Sequence, residues 1–228
     1  MAEKIGIVRE LTIDEIGDDH LTSSTDTPIK EGAFDLSDEE KIELIEDHFQ
    51  SILDIIGLDL KDDSIKGTPK RLAKMYVKEL FSGLNPALKP PVTLFENKYK
   101  YAEMLVEKNV SFTSVCEHHF MPIMGQAHVA YIADKKVIGL SKINRLVQYY
   151  ARRPQVQERY TEQLLKGLSE ALETKHVAVL LEAKHMCVSA RGVEDHASST
   201  ITSAFSGDFK KEAVQKKFLA YIGGEFLK

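Results

Sequence analysis

The chain has 228 residues, of which 43% are hydrophobic and 29% charged, a balance typical of a soluble globular protein with one domain or at most two. Its net charge of −5 argues against a general nucleic-acid binder, because a phosphate backbone requires a basic protein face. A single nucleotide needs only a local cluster of cations and is therefore not excluded.

Membrane insertion and secretion are also disfavoured. Apolar runs such as Val177 to Leu181 fall far short of the ~20 residues that span a bilayer. The first residues, Met1 to Ile5, lead into alternating charged residues without the apolar core of a signal peptide. We therefore expect a cytoplasmic protein that has neither a membrane nor a nucleic acid as partner.

The first part of the chain predicts an arm followed by helices. Residues 1–34 are polar and contain the breaker-rich stretch His20 to Pro28, which favours a flexible N-terminal arm. Residues 35–88 form a predicted helical region. Its first helix is predicted to begin at Ser37, whose hydroxyl is followed three residues later by the carboxylate of Glu40, and to end at Gly57.

A second helix and then a sheet are predicted beyond this point. Thr68 and Pro69 have the form of an N-cap followed by proline at the first helical position, and the helix is expected to run to Gly83. Residues 89–228 predict one α+β domain with a mostly antiparallel sheet. Its expected strands are Val92 to Asn97, Met104 to Val115, Gly125 to Ile132, Lys136 to Gly139 and His176 to Val188, with an extended segment Ser198 to Phe205. Its expected helices are Ser141 to Arg152, Pro154 to Glu173 and Lys210 to Ile222.

Both cysteines of the chain lie in short clusters with histidine. Residues 116–119 read Cys-Glu-His-His, and residues 185–187 read His-Met-Cys. Thiolate sulfur and imidazole nitrogen are zinc ligands, and a catalytic zinc site keeps one of its four positions open. Two cysteines and three histidines exceed the three protein ligands that such a site needs. Some of them are therefore expected to serve acid–base chemistry.

The second cluster is predicted to lie on a strand, because the run from His176 to Val188 is rich in apolar and β-branched residues. Residues two apart on a strand share a face. His185 and Cys187 are therefore expected to face the same site.

Three other interpretations of the cysteines stay open at this point. A disulfide is one, although a chain without a secretory signal is expected in a reducing compartment. Cys187 as an ordinary buried residue of a strand is the second. The third is a closed structural site of two cysteines and two histidines, because spacing alone does not show an open position.

A few residues between the clusters favour a phosphate ligand. Lys142 and Arg145 share a face near the start of a predicted helix, for which Ser141 is a plausible N-cap. Arg191 adds a cation just beyond the second cluster. Glu158 is a first-turn acid of the next helix, and its position alone indicates nothing more.

Four motifs, in their order and spacing, together resemble the GTP cyclohydrolase I family. They are Cys-Glu-His-His-Phe (116–120), Val-Ile-Gly-Leu-Ser-Lys-Ile-Asn-Arg (137–145), Arg-Arg-Pro-Gln-Val-Gln-Glu-Arg (152–159) and His-Met-Cys-Val-Ser-Ala-Arg-Gly-Val (185–193). The resemblance runs from about Ser37 to Phe209 and includes Thr68 to Met75. It implies an enzyme that opens the guanine imidazole ring of GTP, releases formate and forms 7,8-dihydroneopterin triphosphate, the first step of folate and tetrahydrobiopterin biosynthesis.

The resemblance also implies a fold and a set of roles. The fold is the tunnelling fold, in which subunit sheets join into a barrel and rings stack as a homodecamer with active sites at subunit interfaces. Zinc would be bound by Cys116, His119 and Cys187, while His118 and His185 would transfer protons. The residues matched to substrate are Glu158 for guanine, Ser141 near the ribose, Lys142, Arg145, Arg191, Arg71 and Lys74 for the triphosphate, and Gln157 without assignment to one part of GTP.

The departures from the family pattern are few. The N-terminal arm is not covered, and the usual Thr-rich stretch after the Arg-Gly motif reads Ser-Ser-Thr-Ile-Thr-Ser over residues 198–203. An alternative function is a catalytically silent nucleotide-binding regulatory protein on the same fold. It would need a missing zinc ligand or proton-transfer histidine, and none is missing.

Overall fold

The computed structural model describes residues 24–223, with helices alone before Leu94 and with strands and helices interspersed after it. Most of the predicted arm, residues 1–23, lies outside the described residues. Just after it, the Ser24 carbonyl accepts from Arg159 Nε at 2.7 Å and the Thr27 hydroxyl accepts from Gln163 Nε2 at 3.2 Å. Between residues 24 and 223, no helix has the length and apolar character needed to cross a membrane.

The helical region begins with α1, Asp38–Ile56, whose two ends follow their sequence signals. The Glu40 amide donates to the Ser37 hydroxyl, and the Ser37 amide donates to the Glu40 carboxylate at 2.8 Å. The predicted capping box is therefore confirmed. Gly57 ends the helix at φ 98°, a left-handed conformation that a residue without a Cβ adopts freely.

The second helical segment begins one residue earlier than predicted and changes its winding. α2 covers Thr68–Lys74, and its N-cap is Gly67 rather than Thr68, because the Arg71 amide donates to the Gly67 carbonyl at 3.1 Å. The expectation of one continuous helix to Gly83 is wrong in helix type. The segment continues as a π-helix over Met75–Leu80 and as 3₁₀ turns over Ser82–Leu84 and Pro86–Leu88.

The strands form two sheets. A small antiparallel sheet pairs β1 (Leu94–Glu96) with β4 (Lys136–Ile138). The other strands are β2 (Met104–Cys116), β3 (Pro122–Ile132), β5 (Pro154–Gln155), β6 (Val177–His185) and β7 (Thr200–Phe205). They form a five-stranded sheet in the order β5-β2-β3-β6-β7, antiparallel throughout except where β5 runs parallel to β2. The α+β class is confirmed, and the sheet is mixed rather than purely antiparallel.

Helices cover both faces of the larger sheet. α3 (Leu140–Ala151) and α4 (Gln157–Leu172) pack on one face, where Leu146, Leu164 and Val129 belong to the main hydrophobic core. The next residue of β3, Ala130, faces the opposite side because side chains alternate along a strand. There it packs in a smaller core with Phe218 of α6 (Glu212–Gly223). A 3₁₀ turn, Gly207–Lys210, precedes α6, which therefore starts two residues later than predicted.

The strand predicted to carry both His185 and Cys187 ends between them. The pairing of β3 with β6 stops at Ile123 and His185, so no ladder partner supports the strand further. The chain turns instead into a short helix, α5 (Met186–Ser189). The prediction that Cys187 lies on the strand is wrong, because the extent of a strand depends on its neighbour as well as on its own β propensity.

The starts of α3 and α4 also differ from the predictions. Gly139 is the N-cap of α3, with its carbonyl accepting from the Lys142 amide at 2.8 Å, so Ser141 lies in the first turn and is not the cap. α4 begins at Gln157 rather than Pro154, because Pro154–Gln155 forms β5 beside the end of β2.

Candidate active site

Three metal-ligating side chains converge from two separate elements. Cys116 is the last residue of β2, His119 lies in the turn that follows, and Cys187 lies in α5. One ligand atom from each, the two sulfurs and a ring nitrogen, lie within 4.8 Å of one another. Cys116 is buried, Cys187 is half-buried and His119 is exposed, so the group is open on one side.

The chemistry of these donors fits a zinc ion. Burial, together with the neighbouring Cys116 sulfur, raises the pKa of the Cys187 thiol to about 11. Two adjacent thiolates repel each other unless a cation lies between them. A divalent metal removes that repulsion, and thiolate and imidazole are the donors that zinc prefers. Three protein ligands would leave a bound zinc a fourth position for water or substrate.

The loop that carries His119 is anchored to the helical region. The Cys116 amide donates to the Met121 carbonyl at 2.8 Å, and the Phe120 amide donates to the Cys116 carbonyl at 2.9 Å. Phe120 has a φ of 52°, which is rare for a bulky residue. Its ring packs edge-on against Phe81, 5.3 Å between centroids, and near Tyr76, at 6.2 Å. An aromatic contact thus holds a strained turn next to a metal ligand.

His118 lies between Cys116 and the ion pair of Glu117 with Arg159. Its Nδ1 is 3.8 Å from the Cys116 sulfur, and its Nε2 is 3.9 Å from the Glu117 carboxylate. Glu117 is ion-paired with Arg159, whose side chain is 3% exposed and whose Nη2 lies 3.3 Å from Glu117 Oε1. The His118 side chain itself is 41% exposed and lines a cavity.

His185 is held more tightly, at the end of β6. Its Nε2 is 2.8 Å from Oε1 of Gln157, the first residue of α4. Burial lowers the pKa of His185, and the negative charge of Glu158 opposes that effect. The ring is therefore favoured in its neutral form.

Some residues matched to substrate lie near the metal ligands. Glu158 is exposed in the first turn of α4 and acts electrostatically on His185. The positive charge of Arg191 opposes the burial that raises the pKa of Cys187, which places it beside the second cluster. Gln157 is 2% exposed, and its side chain is engaged by groups of this chain.

Others lie elsewhere in the same chain. Arg145 lines a cavity of about 470 Å³ that also includes Lys78 and Arg152. His118 lines a different one, of about 860 Å³, whose walls include residues of the 24–33 segment. The remaining residues lie on helices: Ser141 and Lys142 in the first turn of α3, and the exposed Lys74 and Arg71 in α2, where Arg71 donates to the Thr68 hydroxyl at 3.0 Å. Arg145 and His118 thus line different cavities of one chain.

Comparison with known proteins decides the family. The model of the family described as GTP cyclohydrolase I matches residues 45–223. The chain belongs to the GTP cyclohydrolase I family. The GTP cyclohydrolase 1 of Flavobacterium johnsoniae is 57% identical over 92% of this chain and 94% of its own length. That of Aeromonas hydrophila is 53% identical over 86% and 89%.

A solved structure adds little to this assignment. The archaeosine synthase QueF-Like in its apo form aligns with 47% of this chain and 94% of its own, at 19% identity and a TM-score of 0.37. That likeness is too weak to bear on function. Membership in the GTP cyclohydrolase I family rests on sequence, and it confirms the family and the enzyme predicted from the four motifs.

Residues that the sequence reasoning missed lie around the two histidines of this GTP cyclohydrolase I family member. Glu117 and Arg159 form an ion pair in which the arginine is buried, yet the sequence motifs that contain them indicated no role for either residue. The same is true of Phe120. A charged residue on a helix usually indicates a solvated face, so the pattern alone offered no signal for burial of Arg159.

Proposed function

We propose that the chain opens the imidazole ring of GTP by zinc-dependent hydrolysis, releases C8 as formate and forms 7,8-dihydroneopterin triphosphate. The observation that carries the proposal is the convergence of Cys116, His119 and Cys187 within 4.8 Å. Two further histidines, His118 and His185, lie next to these ligands in sequence. Such a group combines metal ligands with proton-transfer groups in one place.

The metal would be held by the two thiolates and the imidazole of His119. Zinc, when bound, lowers the pKa of a water toward ~7 and so supplies a nucleophile for C8 at neutral pH. The exposure of His119 leaves the open side on which substrate can approach. An open site of this kind contributes more to chemistry than to folding.

The two remaining histidines would move protons. Opening the ring requires protonation at N7 and then at the departing nitrogen, and imidazole suits this work because its pKa lies near neutrality. His185 is kept neutral by burial and held by Gln157. His118 lies beside Cys116 and the Glu117 carboxylate, which favours it as the second group.

Glu158 would recognise the base. A carboxylate accepts from both N1–H and the 2-amino group of guanine, a pair of donors that adenine does not present. Its exposure in the first turn of α4, close enough to act on His185, supports this role. Gln157 is matched to substrate binding only by the family resemblance.

The triphosphate would be bound by Lys142, Arg145, Arg191, Arg71 and Lys74, with Ser141 near the ribose. Arg145 and His118 line separate cavities of one chain, which favours a site completed by a neighbouring subunit. Within the described residues, β7 is an edge strand, and β2 is covered on its outer side only by the two residues of β5. Open edges of this kind suit the tunnelling fold, with sheets joined into a barrel and rings stacked as a homodecamer in the cytoplasm.

Incubation with GTP tests the reaction directly. Purified protein is given GTP, and formate and the fluorescent oxidised pterin are followed with and without a chelator. We expect both products in equal amounts, with loss of both after metal removal and recovery on addition of zinc. Formation of formate at an undiminished rate in metal-free protein would contradict the zinc assignment.

The assembly has its own test. Light scattering should give a mass near ten chains, and mixing His118→Ser and Arg145→Ala proteins, each of low activity, after mild dissociation should restore part of the activity. Recovery is expected because the two side chains would reach one site from different subunits. A fully active monomer would contradict the ring.

A further inference from the structure

The side chain of Gln157 is hydrogen-bonded at both its NH₂ group and its oxygen within this chain. Its side chain is 2% exposed at the first position of α4. Nε2 lies 2.9 Å from the Thr200 carbonyl, 3.1 Å from the Thr202 hydroxyl and 3.4 Å from the Leu181 carbonyl. Oε1 lies 2.8 Å from Nε2 of His185. The amide therefore joins α4, β6 and β7 at one buried point.

The partners of Gln157 determine which way its amide faces. Backbone carbonyls only accept hydrogen bonds, so the group facing Thr200 and Leu181 must be the NH₂. Oε1 is then the atom that faces His185, and a carbonyl oxygen also only accepts. Nε2 of His185 must therefore carry the hydrogen of that contact. Nδ1 is the ring nitrogen left for proton exchange.

Thr202 and Thr161 hold the amide in this orientation. The Thr161 hydroxyl donates to the backbone carbonyl of Gln157 at 2.8 Å. The Thr202 hydroxyl oxygen lies 2.7 Å from the Thr161 hydroxyl oxygen. Because Thr161 uses its hydrogen on Gln157, Thr202 donates to Thr161 and accepts from Gln157 Nε2. The network is closed, and a satisfied buried network of this kind is rigid.

We infer that Gln157 is a positioning residue for His185, fixing its Nε2–H tautomer and ring orientation, and is not a contact of the base. The inference rests on the proposed role of His185 in proton transfer. It departs from the family resemblance, which matches Gln157 to substrate binding. Its NH₂ group is fully engaged inside the chain and its side chain is 2% exposed, so no donor of Gln157 is accessible to the base.

The test compares turnover with substrate affinity. Gln157→Leu should lower kcat roughly 10- to 100-fold, as loss of an outer-shell partner typically does, while KM for GTP changes less than about threefold. Thr202→Val removes only a support of the amide and should lower kcat by roughly 3- to 10-fold. Zinc content and elution volume should stay unchanged in both variants. Ser203→Ala, which removes an exposed hydroxyl from the next position of β7, is the matched control and should behave as the parent protein.

A double-mutant cycle separates this inference from the proposed function. If Gln157 acts through His185, adding Gln157→Leu to His185→Ala should lower kcat no further. Multiplying effects, or a raised KM with kcat kept, would overturn the positioning role while His185 keeps its own. Full activity of His185→Ala would overturn the proposed proton transfer and the positioning role with it. If Gln157→Leu fails to assemble, Thr202→Val decides the matter by the same criteria.

Discussion

The two histidine regions of the site hold their imidazoles in different ways. His118 lies on a turn, is 41% exposed, and has a sulfur and a carboxylate at 3.8 and 3.9 Å. His185 ends a strand, is half-buried, and donates from Nε2 to Gln157 Oε1 at 2.8 Å. One ring sits in a turn that an ion pair and an aromatic contact anchor from outside. The other belongs to a closed network between a helix and two strands, so it should tolerate less change around it.

The largest expected effect removes what the two regions share. Cys187→Ser should lose bound zinc, and turnover should fall by more than the ~10²–10⁴-fold that loss of an acid–base group costs. Metal analysis and formate release measure the two losses. Val188→Ala, at an exposed neighbouring position, is the control and should keep both zinc and activity. A metal-free Cys187→Ser protein with full turnover would contradict a catalytic metal shared by the two regions.

The next effect compares the histidines themselves. His118→Ser and His185→Ala should each lower turnover by ~10²–10⁴-fold while zinc content stays that of the parent. His119→Ser, by contrast, should lose zinc. Zinc, turnover and formate are measured side by side on the three proteins. If His118→Ser or His185→Ala loses its metal and His119→Ser keeps it, the division between ligands and proton-transfer groups is wrong.

The support of His118 is tested through its buried ion pair. Arg159→Met leaves the Glu117 carboxylate without its partner, and breaking a buried pair typically costs ~3–5 kcal/mol. Glu117 is 21% exposed, so we expect the lower end of that range, about 3 kcal/mol. Urea unfolding at fixed protein concentration measures the change. Lys136→Met breaks the exposed pair with Glu173 and should cost no more than about 1 kcal/mol.

Base recognition near His185 should be separable from chemistry. Glu158→Ala leaves two guanine donors unpaired, at about 1–3 kcal/mol each, so GTP affinity should fall at least tenfold. Discrimination against ATP should narrow at the same time. Equilibrium binding of both nucleotides is measured, with Glu162→Ala, one turn further along α4 and also exposed, as control. Equal losses in the two variants would return Glu158 to the role of an ordinary helix acid.

The smallest effect concerns the pH dependence of stability and His128, a buried histidine outside both clusters. His128 of β3 is 5% exposed, and burial lowers its pKa, with Glu182 opposing this and Lys108 adding to it. As the pH drops below ~6.5, this histidine binds a proton more readily in the unfolded chain than in the folded one. The free energy of unfolding therefore decreases by at most ~1.4 kcal/mol per pH unit in that range. His185, whose pKa is also lowered, contributes in the same direction. His128→Gln should weaken this dependence in urea unfolding between pH 5 and 7; an unchanged slope would contradict it.

Local sequence signals predicted both ends of α1, one through a capping side chain and the other through a residue without a Cβ. The capping box at Ser37 and the glycine end at Gly57 lie where they were expected. Strand ends were predicted less well. β6 ends at His185, where its pairing with the first residues of the antiparallel strand β3 ends. β3 itself begins at Pro122, three residues before the expected Gly125. Such limits are set by a partner strand that is distant in sequence.

The sequence by itself determined the family and the enzyme through four motifs that resemble those of the family. It determined the two cysteine–histidine clusters and the α+β class through residue type, spacing and hydrophobic periodicity. Only the tertiary structure decided that Cys187 lies on a helix, that Arg159 is buried against Glu117, and that the Gln157 amide faces His185. These features depend on which elements pack against one another. A hydrogen bond between α4 and β6 joins residues 28 positions apart, and no local pattern encodes its direction.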